Sequence, residues 1–279
     1  RQPSAGPVFG VKGPASGTGR SRMEPTTGIN LGLTGDFAVV EEAHRILLGA
    51  FDRKVQSGKI PVAAASSVQF PYAVDMVLKN EFDTIYHEHL SYFSVTALAK
   101  LFDRHDLKLI DIKKQSVHGG SIRIFVTHKT AEVKPSESIG QFLKEEWDVG
   151  VSARGIYESF AKRVEQIRTD LTNLLKKLKK NGKRVVGYGA AAKGNVMLNY
   201  CKIGPDLIEY IVDSVPYKQG RYTPGTHIPI YPEKKLETDF PDYVLILAWN
   251  FADEIIQKQD KYRQKGGQFI VTIPFLRIE

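Results

Sequence analysis

The sequence RVVGYGAAAKGNVMLNY, residues 184–200, sets the fold class of the C-terminal half, because it combines an apolar strand, a glycine turn and a helix. We predict the strand at Arg184 to Gly187 and the helix at Ala190 to Tyr200. The turn fits the spacing G-x-G-x-x-A through Gly187 and Gly189, where glycine lets the backbone approach a diphosphate near the helix N-terminus. A tight turn needed only for packing is the alternative.

The residues around this turn continue the alternation of strands and helices. An amphipathic helix is predicted from about Ile156 to Asn181. Strands are predicted at residues 207–212, 243–248 and 268–273, with a helix at residues 252–264. Alternating strands and helices form parallel sheets with helices on both faces. Residues 183–279 are therefore predicted to form an α/β, Rossmann-like domain that binds a nucleotide.

Five side chains are candidates for binding that nucleotide. Four lie near the predicted strand ends, and the fifth is a cation in the helix. Asp213 ends the second strand, about where a ribose-binding acid falls. Lys218 and Arg221 follow as possible phosphate contacts, Asn250 lies after a later strand, and Lys193 lies in the helix. For the loop residues, ordinary turn and packing roles remain an equal alternative.

The N-terminal half is less regular. Residues 1–35 are rich in Gly, Pro, Ser and Thr without periodicity, which predicts a disordered leader. Residues 36–130 contain a helical pattern ending at Gly58, then a predicted strand at 60–68, helices at 71–79 and 97–105, and an antiparallel pair at 107–112 and 121–127. Residues 131–182 are predicted to be a linker and the long bridging helix.

The segment YHEHLSY, residues 86–92, concentrates titratable groups. Imidazole and a neighbouring carboxylate can move a proton near neutral pH, while phenols hold or polarise an oxygen. Because the segment connects into a helix, we interpret it as a reactive loop. The alternatives are a polar turn, or a surface metal site formed by His87 and His89.

Three motifs in order resemble one enzyme family. They are NEFDTIYHEHLSYFS at residues 80–94, HGGSIRIFV at 118–126 and GYGAAAKGN at 187–195. Together they resemble the S-adenosylmethionine-dependent sugar C-methyltransferases, which act on nucleotide-linked keto sugars. The resemblance covers residues 70–279. It implies a partial class I methyltransferase-type α/β domain before the C-terminal domain, S-adenosyl-L-methionine as cofactor and a nucleotide sugar as substrate.

The resemblance also implies residue roles. His89 is the base that forms an enolate, which attacks the methyl donor. Glu88 orients the imidazole or binds a sugar hydroxyl, and Tyr86 stabilises the enolate oxygen. Arg123 faces the sugar, with a surface salt bridge as the alternative. The acidic glycine-rich cofactor loop and the cysteine-rich zinc module of the family are not visible, which leaves open that the chain is truncated.

Composition further narrows the classes of protein to which this chain could belong. The chain of 279 residues has 42% hydrophobic residues, a net charge of +8 and one cysteine, Cys201, which excludes an internal disulfide and a four-cysteine zinc site. The absence of a membrane-length apolar run and of a signal core predicts a cytoplasmic protein without a membrane partner. Basic residues are not interleaved with aromatic ones, so we predict no nucleic-acid partner.

Two further hypotheses compete with the sugar C-methyltransferase. One is a noncatalytic nucleotide-sugar binding module that lacks its cofactor half. The other is an NAD-dependent oxidoreductase, which only the glycine fingerprint favours.

Overall fold

The chain forms two compact units. The computed structural model describes residues 66–86, 89, 92–115 and 120–279. The first unit contains the described residues up to Val74 and those from 89 to Ala153, and the second contains 75–86 and 154–279. The predicted leader and the helical pattern before Gly58 lie outside the described residues, as do His87, Glu88, His118 and Gly119.

The first unit is built on a three-stranded antiparallel sheet. Its strands are β1 (Ser66–Pro71), β2 (Leu107–Gln115) and β3 (Ser121–His128), in the order β1-β3-β2. The predicted pairing of β2 with β3 is confirmed, with Ile112 opposite Ile124. The predicted strand at 60–68 is described only in part, and β1 continues beyond it to Pro71.

Helices lie between and after these strands in the sequence, and two of them pack against the sheet. A short helix, α1 (Ala73–Leu78), follows β1, α2 (Val95–Arg104) precedes β2, and α3 (Glu137–Val149) follows β3. Both α2 and α3 pack against β2. Residues 137–149 fall in the segment predicted as a linker, so α3 was missed. Its Ile139, Phe142 and Leu143 lie at helical spacing and pack on the core, but the next position of that stripe is the charged residue Glu146, which is buried.

The second unit contains a six-stranded sheet. Its strands are β4 (Val185–Tyr188), β5 (Ile211–Asp213), β6 (Ile230–Pro232), β7 (Tyr243–Ile246), β8 (Gln268–Val271) and β9 (Arg277–Ile278). Their order is β6-β5-β4-β7-β8-β9, and all neighbours are parallel except β8 and β9. The predicted parallel α/β sheet is therefore confirmed. All four residues of β4 are buried, as is usual for a parallel strand covered on both faces.

Hydrophobic cores lie on both faces of this sheet. One contains α4 (Arg154–Lys180), which contributes Val164, Ile167, Leu171, Leu175 and Leu178, and α5 (Ala192–Cys201). The other contains residues of α6 (Lys234–Asp239), α7 (Ala252–Lys258) and α8 (Asp260–Gln264). The predicted long amphipathic helix and the helix after the glycine turn are confirmed.

Several elements of the second unit differ from the sequence prediction. The strand expected at 207–212 is β5, which begins only at Ile211, because Leu207 and Ile208 donate backbone hydrogen bonds to Gly204 in a turn. Both side chains are apolar and buried, so the sequence of the turn resembles that of a buried strand. The helix expected at 252–264 is interrupted at Gln259. The short elements β6, α6 and β9 were not predicted, because two to six residues carry no usable periodicity.

The glycines of the central turn are explained by close packing. A Cβ at Gly187 would lie 2.7 Å from Cγ1 of Ile211, and one at Gly194 would lie 2.7 Å from Cβ of Leu247. Gly189 has a φ of +90°, which other residues rarely adopt. Close packing is therefore sufficient to explain why these positions are glycine. The turn lies at the edge of the sheet.

Replacing Gly194 with Ala tests this close approach. We expect the variant to lose about 1–3 kcal/mol of unfolding free energy, since the new methyl group must displace Leu247. Gly155→Ala in α4 is the control, because nothing lies within 4 Å of a Cβ there, and no loss is expected. Urea denaturation measures both. Equal stability of the two variants would contradict the packing interpretation.

Candidate functional site

Asp213 connects the glycine turn to the end of β5. Its Oδ2 accepts hydrogen bonds from the backbone N–H of Ala190 at 2.7 Å and from Nζ of Lys218 at 3.0 Å, while Oδ1 accepts from the N–H of Val215 at 2.8 Å. Lys218 also donates to the carbonyl of Ala190 at 2.8 Å. Both side chains therefore stabilise the turn by hydrogen bonds within the protein. This arrangement corresponds to the turn and packing alternative for Lys218.

The two predicted arginines lie on the surface. Arg221 is exposed and its guanidinium lies 4.4 Å from the ring centre of Tyr217 in the second unit. Arg123 is exposed in the first unit, and its Nη2 donates to Oε1 of Gln69 at 2.9 Å. Neither residue belongs to a buried charge cluster. Their contacts are those of surface side chains that stay accessible to a ligand.

Lys193 and Asn250 meet at the carboxyl edge of the parallel sheet. The 3-10 turn Trp249–Phe251 follows β7, and Nζ of Lys193 lies 4.3 Å from the centre of the Trp249 ring. The same Nζ is 3.4 Å from Oδ1 of Asn250. Lys193 is 6% exposed, whereas Trp249 and Asn250 are half-buried. The structure thus brings a cation, an indole and an amide together where open α/β sheets bind ligands.

Two acidic residues of this cluster were not predicted from the sequence. Asp83 lies in the 3-10 turn Phe82–Thr84, is fully buried, and accepts a hydrogen bond from Nε1 of Trp249 at 2.6 Å. Burial raises the pKa of Asp83 to about 7 and that of Glu81 to about 7, and in each case Lys193 partly opposes the increase. A buried carboxyl with a strongly shifted pKa marks functional sites, but carboxyls at positions 81 and 83 look like surface residues in a sequence.

The segment 75–86 belongs to the second unit through several contacts. Phe82 packs with Tyr200 at a ring-centre distance of 5.1 Å. Arg163 of α4 donates to Oδ1 of Asn80 at 2.7 Å and to the carbonyl of Val77 at 2.8 Å. The polypeptide entering the reactive loop is therefore fixed to α4 and α5.

The other end of the reactive loop is fixed in the first unit. Ser94 caps α2 by accepting from the N–H of Ala97 at 3.1 Å. Glu146 of α3 is 1% exposed and accepts from the N–H groups of Val95 at 2.5 Å and Thr96 at 2.8 Å, and from the hydroxyl of Tyr72 at 2.9 Å. A carboxylate at a helix N-terminus is stabilised by the unpaired amides and by the helix dipole.

Within the loop, His89 and Tyr92 lie together. His89 is half-buried, and its ring centre is 6.3 Å from that of Tyr92 in an edge-to-face arrangement. Tyr86 is half-buried and belongs to the second unit. The predicted roles of His89, Glu88 and Tyr86 remain predictions. A partly exposed imidazole beside an aromatic ring retains access to a substrate proton.

Among the residues that the structure describes, no group of three or more His, Cys, Asp and Glu side chains is arranged to hold a metal ion. The same residues include no helix that is long and apolar enough to span a membrane.

Comparison with known proteins identifies the family. Residues 116–274 match the family model described as C-methyltransferase C-terminal domain. This chain belongs to that family. The match spans β3, α3, α4 and the strands β4 to β8, and it begins after the reactive loop.

A curated relative extends the likeness towards the N-terminus. The chain is 37% identical over 242 residues to C-methyltransferase NovU of Streptomyces niveus. The alignment covers 87% of this chain and 56% of that protein, so the chain spans about half the length of this relative.

The first 85 residues show a second likeness. They match the family model for formate–tetrahydrofolate ligase. Ligases of Haloarcula marismortui and Zymomonas mobilis are each 43% identical to the chain over 76 residues, which is 27% of this chain and 14% of the ligase. Most of these residues lie outside the described structure, and the disordered leader remains a prediction.

Replacing Glu146 with Gln tests the anchor of α2. We expect a loss of about 1–3 kcal/mol in unfolding free energy, because the amide group of Gln cannot accept from all three buried donors. Chemical denaturation measures the loss, and faster hydrogen exchange of the Val95 and Thr96 amides locates it. Glu145→Gln is the control, since that exposed carboxylate pairs only at the surface with Lys114. A loss no larger than that of the control would contradict the anchor.

Replacing Asp83 with Asn tests the raised pKa. Because folding raises this pKa from 3.8 to about 7, the folded state holds the proton more tightly, and the stabilisation present at acidic pH is lost as the pH rises to 7. Asn stays neutral throughout. Between pH 5 and pH 8 the unfolding free energy of the wild type should therefore fall relative to that of Asp83→Asn, by about 1–3 kcal/mol. A difference that does not change with pH would contradict the shift.

Proposed function

We propose that this chain is all or part of an S-adenosylmethionine-dependent C-methyltransferase that acts on a nucleotide-linked keto sugar. Membership of the C-methyltransferase family and the likeness to NovU support the reaction class. The observation that carries the proposal is that His89 is half-buried beside Tyr92, a few residues before the N-terminus of α2 that Glu146 holds in the first unit. Titratable side chains on connections next to rigid elements are typical of catalytic positions.

The chemistry assigned to the loop is removal of a proton from a carbon next to a ketone. Neutral His89 is the proposed base and takes that proton on its unprotonated ring nitrogen. The electrons then pass to the ketone oxygen, whose developing charge needs a hydrogen-bond donor. Tyr86 is the proposed donor, and Glu88 is proposed to orient the imidazole or a sugar hydroxyl.

S-adenosyl-L-methionine is the proposed methyl donor, since when bound it supplies an electrophilic methyl group. The described residues of the first unit form an antiparallel sheet and include no glycine-rich turn after a parallel strand. They do not fit the cofactor site expected of a class I methyltransferase. The roles assigned above are therefore confined to proton removal and to binding of the sugar substrate.

The nucleotide part of the substrate is assigned to the second unit. Lys193 supplies the cation, Trp249 a flat apolar surface and Asn250 a polar group for a base, sugar or diphosphate. Gly187 and Gly189 keep the turn close to the sheet edge, and Asp213 with Lys218 holds that turn in place. Arg221 is the accessible cation near the same edge, and Arg123 is assigned to the sugar side of the first unit.

Asp213 also bears on the oxidoreductase hypothesis. A dinucleotide-binding acid needs a carboxylate oxygen available for the ribose hydroxyls. Both oxygens of Asp213 already accept hydrogen bonds inside the turn, and Oδ2 accepts two. These internal hydrogen bonds of Asp213 favour the nucleotide-sugar proposal over NAD binding.

Replacing His89 with Asn tests the base. We expect methyl transfer to fall by at least about a hundredfold, because Asn cannot accept the proton, while affinity for the nucleotide sugar stays within about threefold. His105→Asn at the end of α2 is the matched control and should leave both quantities unchanged. Turnover and calorimetric affinity measure them. Unchanged turnover in the His89 variant would remove this residue as the base.

Calorimetry with adenosylmethionine, a nucleotide-linked keto sugar and NAD separates the three hypotheses. Binding of both the methyl donor and the sugar supports the enzyme. Binding of the sugar alone supports a noncatalytic module, and binding of NAD alone supports the oxidoreductase.

A further inference from the structure

We propose that Asp83 is a positioning residue for the ligand site of the second unit, because its carboxyl group fixes the Trp249 indole and, through that ring, the ammonium group of Lys193. The idea rests on the proposed function insofar as the ligand is taken to be a nucleoside diphosphate. It concerns a residue that lies 166 positions from Trp249 in the sequence and outside the glycine turn.

The hydrogen bond determines how the indole ring is oriented. Trp249 begins a 3-10 turn after β7, and that turn has no side-chain cap at its N-terminus. The contact of 2.6 Å from Nε1 to Oδ2 of the fully buried Asp83 satisfies the single polar group of the half-buried indole. Rotation of the ring would leave this N–H without its acceptor, which is costly when water is excluded.

The orientation of the ring in turn determines where Lys193 places its charge. A desolvated ammonium group is attracted to the face of an indole, and Nζ of Lys193 lies 4.3 Å from the ring centre. Asn250, the residue after Trp249, holds the same ammonium group at 3.4 Å. A displaced indole would therefore move the cation and the amide together.

Asp83 is itself held rigidly. Its neighbour Phe82 packs against Tyr200 of α5, and Asp83 is 0% exposed. Its second oxygen, Oδ1, has no hydrogen-bond partner among the described residues, and the same holds for Oε1 of Glu81. Buried acceptors that lack donors reduce stability, so their presence beside Lys193 points to a role in the site.

A nucleoside diphosphate fits this arrangement chemically. Its phosphates carry negative charge that complements a cation, and its base is a flat ring that packs on an aromatic face. The carboxyl edge of the parallel sheet, where Trp249 and Asn250 lie, is the usual ligand position in open α/β sheets.

Tryptophan fluorescence tests the positioning directly. The chain has two tryptophans, and Trp147 is 83% exposed, so Trp147→Phe leaves the emission of Trp249 alone. In that background Asp83→Ala should shift the emission to longer wavelength, because the released indole meets water. Asp83→Asn, which keeps an acceptor oxygen, should preserve the wild-type emission. An unshifted emission in the Ala variant overturns the proposal.

Binding measurements test the consequence for the site. Uridine, thymidine, guanosine and adenosine diphosphates are titrated calorimetrically into the full chain. For whichever binds, Asp83→Ala should weaken affinity about tenfold or more, and Asp83→Asn should stay within about threefold of the wild type. Asp253→Ala on α7 is the control, because that side chain is exposed, and it should have no effect. Equal weakening by Asn and Ala would overturn the acceptor role.

A variant at the other end of the bond covers the case in which Asp83→Ala does not fold. Trp249→Phe keeps a ring but removes the donor, so it should weaken affinity as well. Where both single variants fold, the double variant should be no weaker than the weaker single one, because both remove the same interaction. Additive losses overturn the proposal. If the wild type binds none of the four diphosphates, the proposed function fails, and the emission of Trp249 alone decides the role of Asp83.

Discussion

The hydrogen bond from Trp249 to Asp83 is the contact on which the candidate site depends. It joins the polypeptide that leads into the reactive loop to the turn at the end of β7, at an N···O distance of 2.6 Å. The carboxyl is buried and its pKa is raised to about 7, so the contact is maintained at an electrostatic cost. The segment 75–86 is thereby made part of the unit that contains the parallel sheet, although it precedes that unit's long helix by many residues.

The reactive loop begins and ends in different surroundings. Its entry is fixed by Asp83 and Phe82 in the second unit, and its exit by Ser94 and Glu146 in the first. Both anchors use buried carboxylates that accept hydrogen bonds from fixed donors. Each described end of the loop is thus fixed within its own unit.

Much of the fold was predictable, and the failures have physical reasons. The strand and helix around the glycine turn, the long helix α4 and the β2–β3 pair each carry enough apolar residues for a clear period. By contrast, the apolar stripe of α3 is interrupted by the buried Glu146, and β6 contains three residues. The roles of His89, Lys193 and Asp213 remain predictions from local motifs. Asp83 could not be found from the sequence, because its burial depends on a partner far away in the chain.

Hydrogen exchange at the substrate carbon tests the central claim, that His89 removes a proton next to a ketone. A nucleotide-linked keto sugar is incubated with the chain in deuterated buffer without a methyl donor, and incorporation is followed by NMR. The account predicts deuterium at the carbon beside the ketone with the wild type and none above background with His89→Asn. Equal incorporation by both proteins would contradict it.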